Sequence, residues 1–278
     1  MKKRNLFRVF CSMALFLMPC MATLGINGDT VVKAGKKIDM EEILPGILSF
    51  QISEKYQKGA IQAQAVIARS NLFRKLENRK NIWEFMKVVK EELQDTKKIW
   101  KVPASIYAEA VEDTEGVVLT VEGSLKLVPY HEISNGKTRD GQEVFHSAEY
   151  GYLKSVDSSL DKEAPDYVSS TYIFSSQLPA KLVLKKRDSA GYVTALTADG
   201  NWIEGQTFCQ GMHLASADFS VQKIGKMVRF LCKGKGHGLG LSQYGGNEMA
   251  KNGSSWEEIL KTYFPEMDIE AVESLDKT

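Results

Sequence analysis

Cysteine is scarce in this chain, and none of it is spaced for metal chemistry. There are four cysteines in 278 residues. Cys11 and Cys20 fall in an apolar N-terminal stretch, which leaves Cys209 and Cys232 for the rest. Neither has a Cys-x-x-Cys partner, so a structural zinc site of that kind is excluded. An excess of either charge is also lacking. Lys and Arg total 36 against 35 for Asp and Glu, a net charge of +1, so no global field draws in nucleic acid and none is expected as a partner. There is no low-complexity tract and no repeat of solenoid or propeller period. With 43% hydrophobic residues the chain is globular rather than disordered.

The length suits one large domain or two small ones. The first residues, Met1-Lys-Lys-Arg-Asn5, precede an apolar run that reaches Ile26, with Pro19 ahead of small residues. That is the layout of an export signal, with cleavage after Ala22, or of an uncleaved membrane anchor. Residues 1–30 are assigned to this segment and 31–278 to one domain. In either case the domain is expected outside the cytoplasm, secreted or membrane-anchored, on the outer face of the membrane or in the wall. There the pair Cys209 and Cys232 allows either a disulfide or two buried thiols.

Residues 39 to 76 read as two helices. The first runs through Glu41-Glu-Ile-Leu-Pro-Gly-Ile-Leu48 and is disturbed at Pro45. The second runs from Gly59 to Leu76, with Ile61, Ala65, Ala68, Leu72 and Leu76 on one face. A third amphipathic pattern spans residues 81–100. From Ala108 onward short alternating segments dominate, at 117–121, 125–130, 181–184, 192–196, 219–221 and 227–232, punctuated by Glu122-Gly123 and Asp199-Gly-Asn201. The expected class is α+β: N-terminal helices packed on a β-rich body, with a C-terminal helix at Trp256 to Tyr263.

The densest signal is Lys233-Gly-Lys-Gly-His-Gly-Leu-Gly-Leu-Ser-Gln-Tyr-Gly-Gly246, six glycines around His237, Ser242, Gln243 and Tyr244. Glycine at that density permits positive φ or very close backbone approach. Its spacing excludes a dinucleotide fingerprint, a P-loop and a nucleophile elbow. Ser242 therefore reads as a hydrogen-bonding residue rather than a nucleophile.

With Met249-Ala-Lys251, Gly253 and Trp256-Glu-Glu-Ile-Leu-Lys-Thr-Tyr-Phe-Pro265, this loop resembles the end of SpoIID/LytB domains. Further blocks agree in order: Ala60-Ile-Gln-Ala-Gln-Ala-Val-Ile-Ala-Arg69, Ala110-Val-Glu-Asp-Thr-Glu-Gly116, Tyr130-His-Glu-Ile-Ser-Asn-Gly-Lys-Thr138, Tyr152-Leu-Lys-Ser-Val-Asp157 and Asp161-Lys-Glu-Ala-Pro165. The family holds peptidoglycan lytic transglycosylases and amidase enhancers. The resemblance implies glycan strands as the ligand, a wall amidase or other sporulation cell-wall protein as a partner, and membrane attachment through the N-terminal segment. Active members cleave the muramic acid to glucosamine β-1,4 bond and leave 1,6-anhydromuramic ends. Some members bind zinc through cysteines after the first histidine motif. No cysteine lies near His131 here, so neither metal nor cofactor is expected.

The family's acid/base glutamate ends the first helix, thirteen residues before the glutamine of the Ala-Gln-Ala block. Counting back from Gln64 gives Gln51, in Phe50-Gln51-Ile52-Ser53. An amide has no transferable proton. Glu54, three residues on, is the substitute acid if it shares a helical face with Gln51. The chain thus reads as a glycan-binding protein with reduced or absent cleavage, or as a recruiter of a separate hydrolase. Gln64, Arg69, His131, Ser134, Thr138, His237, Ser242, Gln243 and Tyr244 complete the candidate groove. For Arg69 and His237 a bracing role stands beside substrate contact. His146 and His213 carry no matching context.

Overall fold

The computed structural model describes residues 41–76 and 103–272. The chain divides at Glu42/Ile43 into two units, and of the first only Glu41 and Glu42 are described. The helices and strands among the described residues all belong to the second unit, Ile43–Thr278. The expected N-terminal segment and the amphipathic pattern at 81–100 lie outside the described residues.

Helix α1 (Leu44–Gln51) starts later than the sequence suggests, because Pro45 sits in its first turn. There a proline's missing N–H and fixed φ cost nothing, so it opens the helix rather than disturbing it. Helix α2 (Lys58–Leu76) is buried on almost every side, not only on the face that its apolar spacing marks. It is the axis of its half of the domain, packed against α1, α3 (Ser105–Asp113) and β1 (Val117–Val121). Its alanines at 60, 63, 65 and 68 are all buried and let the neighbours approach closely. Truncating the fully buried Leu72 to alanine removes roughly 2–5 kcal/mol of stability.

The β-rich remainder is four small sheets. Strand β1 hairpins onto β2 (Ser124–Leu125) through Glu122-Gly123, both in the left-handed region that such a turn requires. Strand β3 (Tyr130–His131) follows, then the short helix α4 (Gly141–Phe145), β4 (Val168–Phe174), β5 (Leu182–Arg187), β6 (Val193–Ala198) and β7 (Asn201–Glu204). Helix α5 (Gly205–Gly211) leads to β8 (Phe219–Ile224) and β9 (Met227–Lys233), then to β10 (Leu241–Ser242), α6 (Gln243–Lys251), α7 (Trp256–Tyr263) and β11 (Asp268–Ala271). The sheets are ordered β11-β1-β2, β10-β3, β4-β9-β8 and β5-β6-β7, antiparallel except for the β10-β3 pair. This is an α+β fold with N-terminal helices, a β-rich body and a helix near its end.

Two cores result. One gathers Val66, Ile67, Leu119, Leu241, Ile259 and Phe264 between α2, β1 and α7. The other gathers Tyr192, Leu196, Phe208, Phe219, Phe230 and Cys232 between α5 and the two three-stranded sheets that follow β3 in the chain. Cys209 and Cys232 are both free thiols in this second core, and burial pushes the Cys209 thiol up to about 11. The glycine-rich loop joins the two cores, leaving β9 in the second and entering β10 in the first. Among the described residues no helix is long and apolar enough to cross a membrane.

Candidate functional site

Helix α1 ends because Ile52 turns extended, at φ −136° and ψ 149°. The last residue, Gln51, is left at the mouth of a groove. Gln64, fully buried on α2, donates from Nε2 to Gln51 Oε1 at 2.9 Å. Gln243, at the start of α6, donates from Nε2 to the Gln51 carbonyl at 2.7 Å and to Gln64 Oε1 at 3.2 Å. Three glutamines from three helices thus fix the Gln51 backbone and its amide together. The extended Ile52 also takes Glu54 off the helix and into an exposed turn, so, against the sequence expectation, it shares no helical face with Gln51.

The groove has a volume of about 680 Å³ and is lined by Gln51, Arg74, Tyr130, Arg139, Glu204 and His237 among others. Of the residues singled out in the sequence, Gln51 and His237 reach its wall. His131 lies behind, its ring centroid 5.8 Å from that of His237. The His237 Nδ1 accepts the Leu239 N–H at 3.1 Å, while the His131 Nδ1 donates to the Leu239 carbonyl at 3.0 Å. Burial holds the His131 imidazole down at about 4. For His237 burial comes first, then the charges of His131 and Arg139, with the same result of about 4. Both rings are neutral at physiological pH.

Positive φ at Gly234, Gly236, Gly238 and Gly240 gives the loop its path. At Gly238 the need is double: φ is +79°, and an added Cβ would lie 2.5 Å from the Tyr192 ring. Arg139 stacks over the same ring at 5.0 Å, donates to the His237 carbonyl at 3.2 Å, and pairs through Nε with Asp188 at 2.6 Å. Both charged side chains are almost wholly buried. Asp188 in turn accepts the backbone N–H of Ala190 and of Tyr192. This ion pair ties the glycine loop to the segment between β5 and β6.

A second knot lies under the loop's far end. Asp161, fully buried, accepts from the Ser134 N–H, Ser158 Oγ and Ser242 Oγ at 2.8–2.9 Å. Burial raises its carboxyl above the usual range, and those three donors oppose the rise. Ser242 also accepts the Gly245 N–H and so caps α6. A Cβ on Gly245 would meet the Tyr263 hydroxyl and force it aside. Ser134 and Ser242 are therefore brought together as braces around Asp161. Thr138 binds the backbone of Val156 and Lys154 instead. Arg69 is buried at the end of α3, donating to the Val111 and Val117 carbonyls and to Thr114 Oγ1. Tyr244 reaches Glu132 through its backbone N–H and is not a groove wall.

Sequence reasoning did not single out Arg139, Asp188, Tyr192 or Asp161. Asp161 opened one of the matched blocks, and Arg139 directly follows another; those were the available signals. Among the described residues no group of three or more His, Cys, Asp and Glu is close enough to hold a metal ion.

The family model for SpoIID, described as stage II sporulation protein, matches residues 29–121, a span that includes Gln51, Gln64 and Arg69. Stage II sporulation protein D of Bacillus amyloliquefaciens is 31% identical over 267 residues, covering 86% of this chain and 76% of that protein. The chain belongs to the SpoIID family. Stage II sporulation protein D of Bacillus subtilis is 27% identical over 260 residues, covering 84% of this chain and 75% of that protein. An uncharacterized protein of Brachyspira hyodysenteriae is 23% identical over 260 residues, covering 87% and 69%.

Proposed function

We propose that this member of the SpoIID family is exported, binds peptidoglycan glycan strands in the groove at Gln51 during sporulation, and does not cleave them. The observation that carries this reading is the chemistry of the groove wall. Lytic transglycosylation needs one group to protonate the leaving oxygen and then take the proton of the muramyl C6 hydroxyl. At the position where the family resemblance puts that group, Gln51 offers an amide. Among the described residues the groove has one carboxylate, Glu204, and both of its oxygens cap α5 by accepting from Gln206 and Thr207. Loss of general acid/base catalysis costs on the order of 10²–10⁴-fold. A strand held here is presented to a separate wall hydrolase instead.

The test is mass analysis of peptide-free glycan strands after incubation with the full chain. Wild type is expected to release no anhydromuramic ends, and Gln51→Glu to release them. The Gln64 amide that donates to Gln51 Oε1 donates equally well to a carboxylate oxygen, so the substitution keeps the local geometry. Wild-type cleavage that survives in Gln51→Ala would overturn the reading.

A further inference from the structure

A second cavity, also about 680 Å³, opens beside the loop that carries Asn135 and Lys137. Its walls bring together Lys137, Lys162 and Lys233 with Arg187, against Asp157 and Asp218. The fixed charges there are largely spoken for. Arg187 pairs with Asp218 at 3.0 Å and donates to the Phe219 carbonyl at 2.6 Å. Asp218 also accepts from the Asn135 amide at 2.9 Å, and Asp157 accepts from the Ser159 hydroxyl at 2.8 Å. The three lysines differ: among the described residues none of them makes an ion pair. The Lys162 side chain lies over Gly136, where a Cβ would meet its Cε. In a chain whose total charge is +1, three lysines and Arg187 against two aspartates around one concavity are a local excess of positive charge.

We propose that this cavity is a second ligand site, separate from the Gln51 groove, that takes a multiply charged anion bearing carboxylate or phosphate groups. Lysine ammoniums are compact charges on flexible stems, suited to either group without a fixed fork geometry. The Asn135 side-chain amide, on the same wall, marks the polar floor. The proposal does not rest on the glycan reading of the first groove.

Titration calorimetry on the full chain at low ionic strength tests it, with citrate as the carboxylate probe, pyrophosphate as the phosphate probe and a neutral chitin oligosaccharide as control. At least one anion is expected to bind, with affinity falling as salt rises, since the lysines are exposed. K137Q/K162Q/K233Q is expected to lose at least about tenfold in affinity with its Tm unchanged. Binding of citrate alone assigns the site to carboxylates, and of pyrophosphate alone to phosphates. R74Q, in the other groove, is expected to bind the anion as wild type does. The proposal falls if neither anion binds, if the triple variant binds as well as wild type, or if R74Q and not the triple variant loses the anion. Failure of the Gln51 groove to hold neutral glycan leaves all of these outcomes unaffected.

Discussion

His131 and His237 hold the two ends of one peptide residue with opposite tautomers. The first donates from Nδ1 to the carbonyl of Leu239, and the second accepts at Nδ1 the N–H of the same residue. His237 must be neutral to accept there, burial disfavours the charged form of both rings, and each is held down at about 4. In the unfolded chain both titrate near 6.5. The unfolded state therefore takes up protons first as pH falls, and stability is lost between about pH 6.5 and pH 4. Urea denaturation at several pH values should show a decline of a few kcal/mol across that window. His237→Gln should make it shallower and leave the share that belongs to His131. A curve that is level from pH 7 to pH 4 rules this out.

The buried pair of Arg139 and Asp188 makes a second expectation. Arg139→Met leaves the aspartate buried and uncompensated, a loss of roughly 3–5 kcal/mol. Arg139→Met/Asp188→Asn should recover much of it, because the amide oxygen still accepts from Ala190 and Tyr192. Thermal melts of the single and double variants decide between this and simple additivity.

Gly245→Ala should cost about 1–3 kcal/mol by forcing the Tyr263 hydroxyl away from Ser158. Tyr263→Phe removes the obstructing oxygen, so in that background the alanine should cost less. Equal costs in the two backgrounds would show that the hydroxyl is not the obstacle.

Gln243→Met removes the amide that donates to the Gln51 carbonyl and to Gln64 Oε1, leaving both acceptors without that partner. About 1–3 kcal/mol of stability should go. In the glycan-binding reading, pulldown of peptide-free strands should weaken by more than the loss of folded protein explains. Unchanged pulldown at unchanged stability would mean that the three glutamines neither brace the fold nor shape the groove.

Much of the local structure could be read from the chain. Period-3.6 apolar spacing marked α2, and the residues of β1 and α7 were found with their observed bounds. Ser255 and Glu258 close a capping box at the start of α7, a purely local device. Pairings set by tertiary structure could not be read. Strand β11 completes the sheet of β1 from about 150 residues away, with Val118 opposite Glu270. The candidate site divides in the same way. The glycine loop and Gln51 stood out by composition and by spacing, whereas Asp161 and the Arg139–Asp188 pair look like ordinary surface charges until burial is known. Arg69, well inside α2, proves to be tied to the carbonyls of Val111 in α3 and Val117 at the start of β1.

The parallel contact of β3 with β10, Tyr130 beside Leu241 and His131 beside Ser242, has a consequence in time. Closing it joins two chain segments more than a hundred residues apart, a step whose entropy must be met before the contact returns anything. The helices around α2 can pack as soon as they are made. The groove cannot take shape so early, because its walls include His237 and Leu239, which follow Gln51 by well over a hundred residues. A growing chain therefore carries Gln51 on a helix that is already packed while the facing wall of its cleft is still to be made.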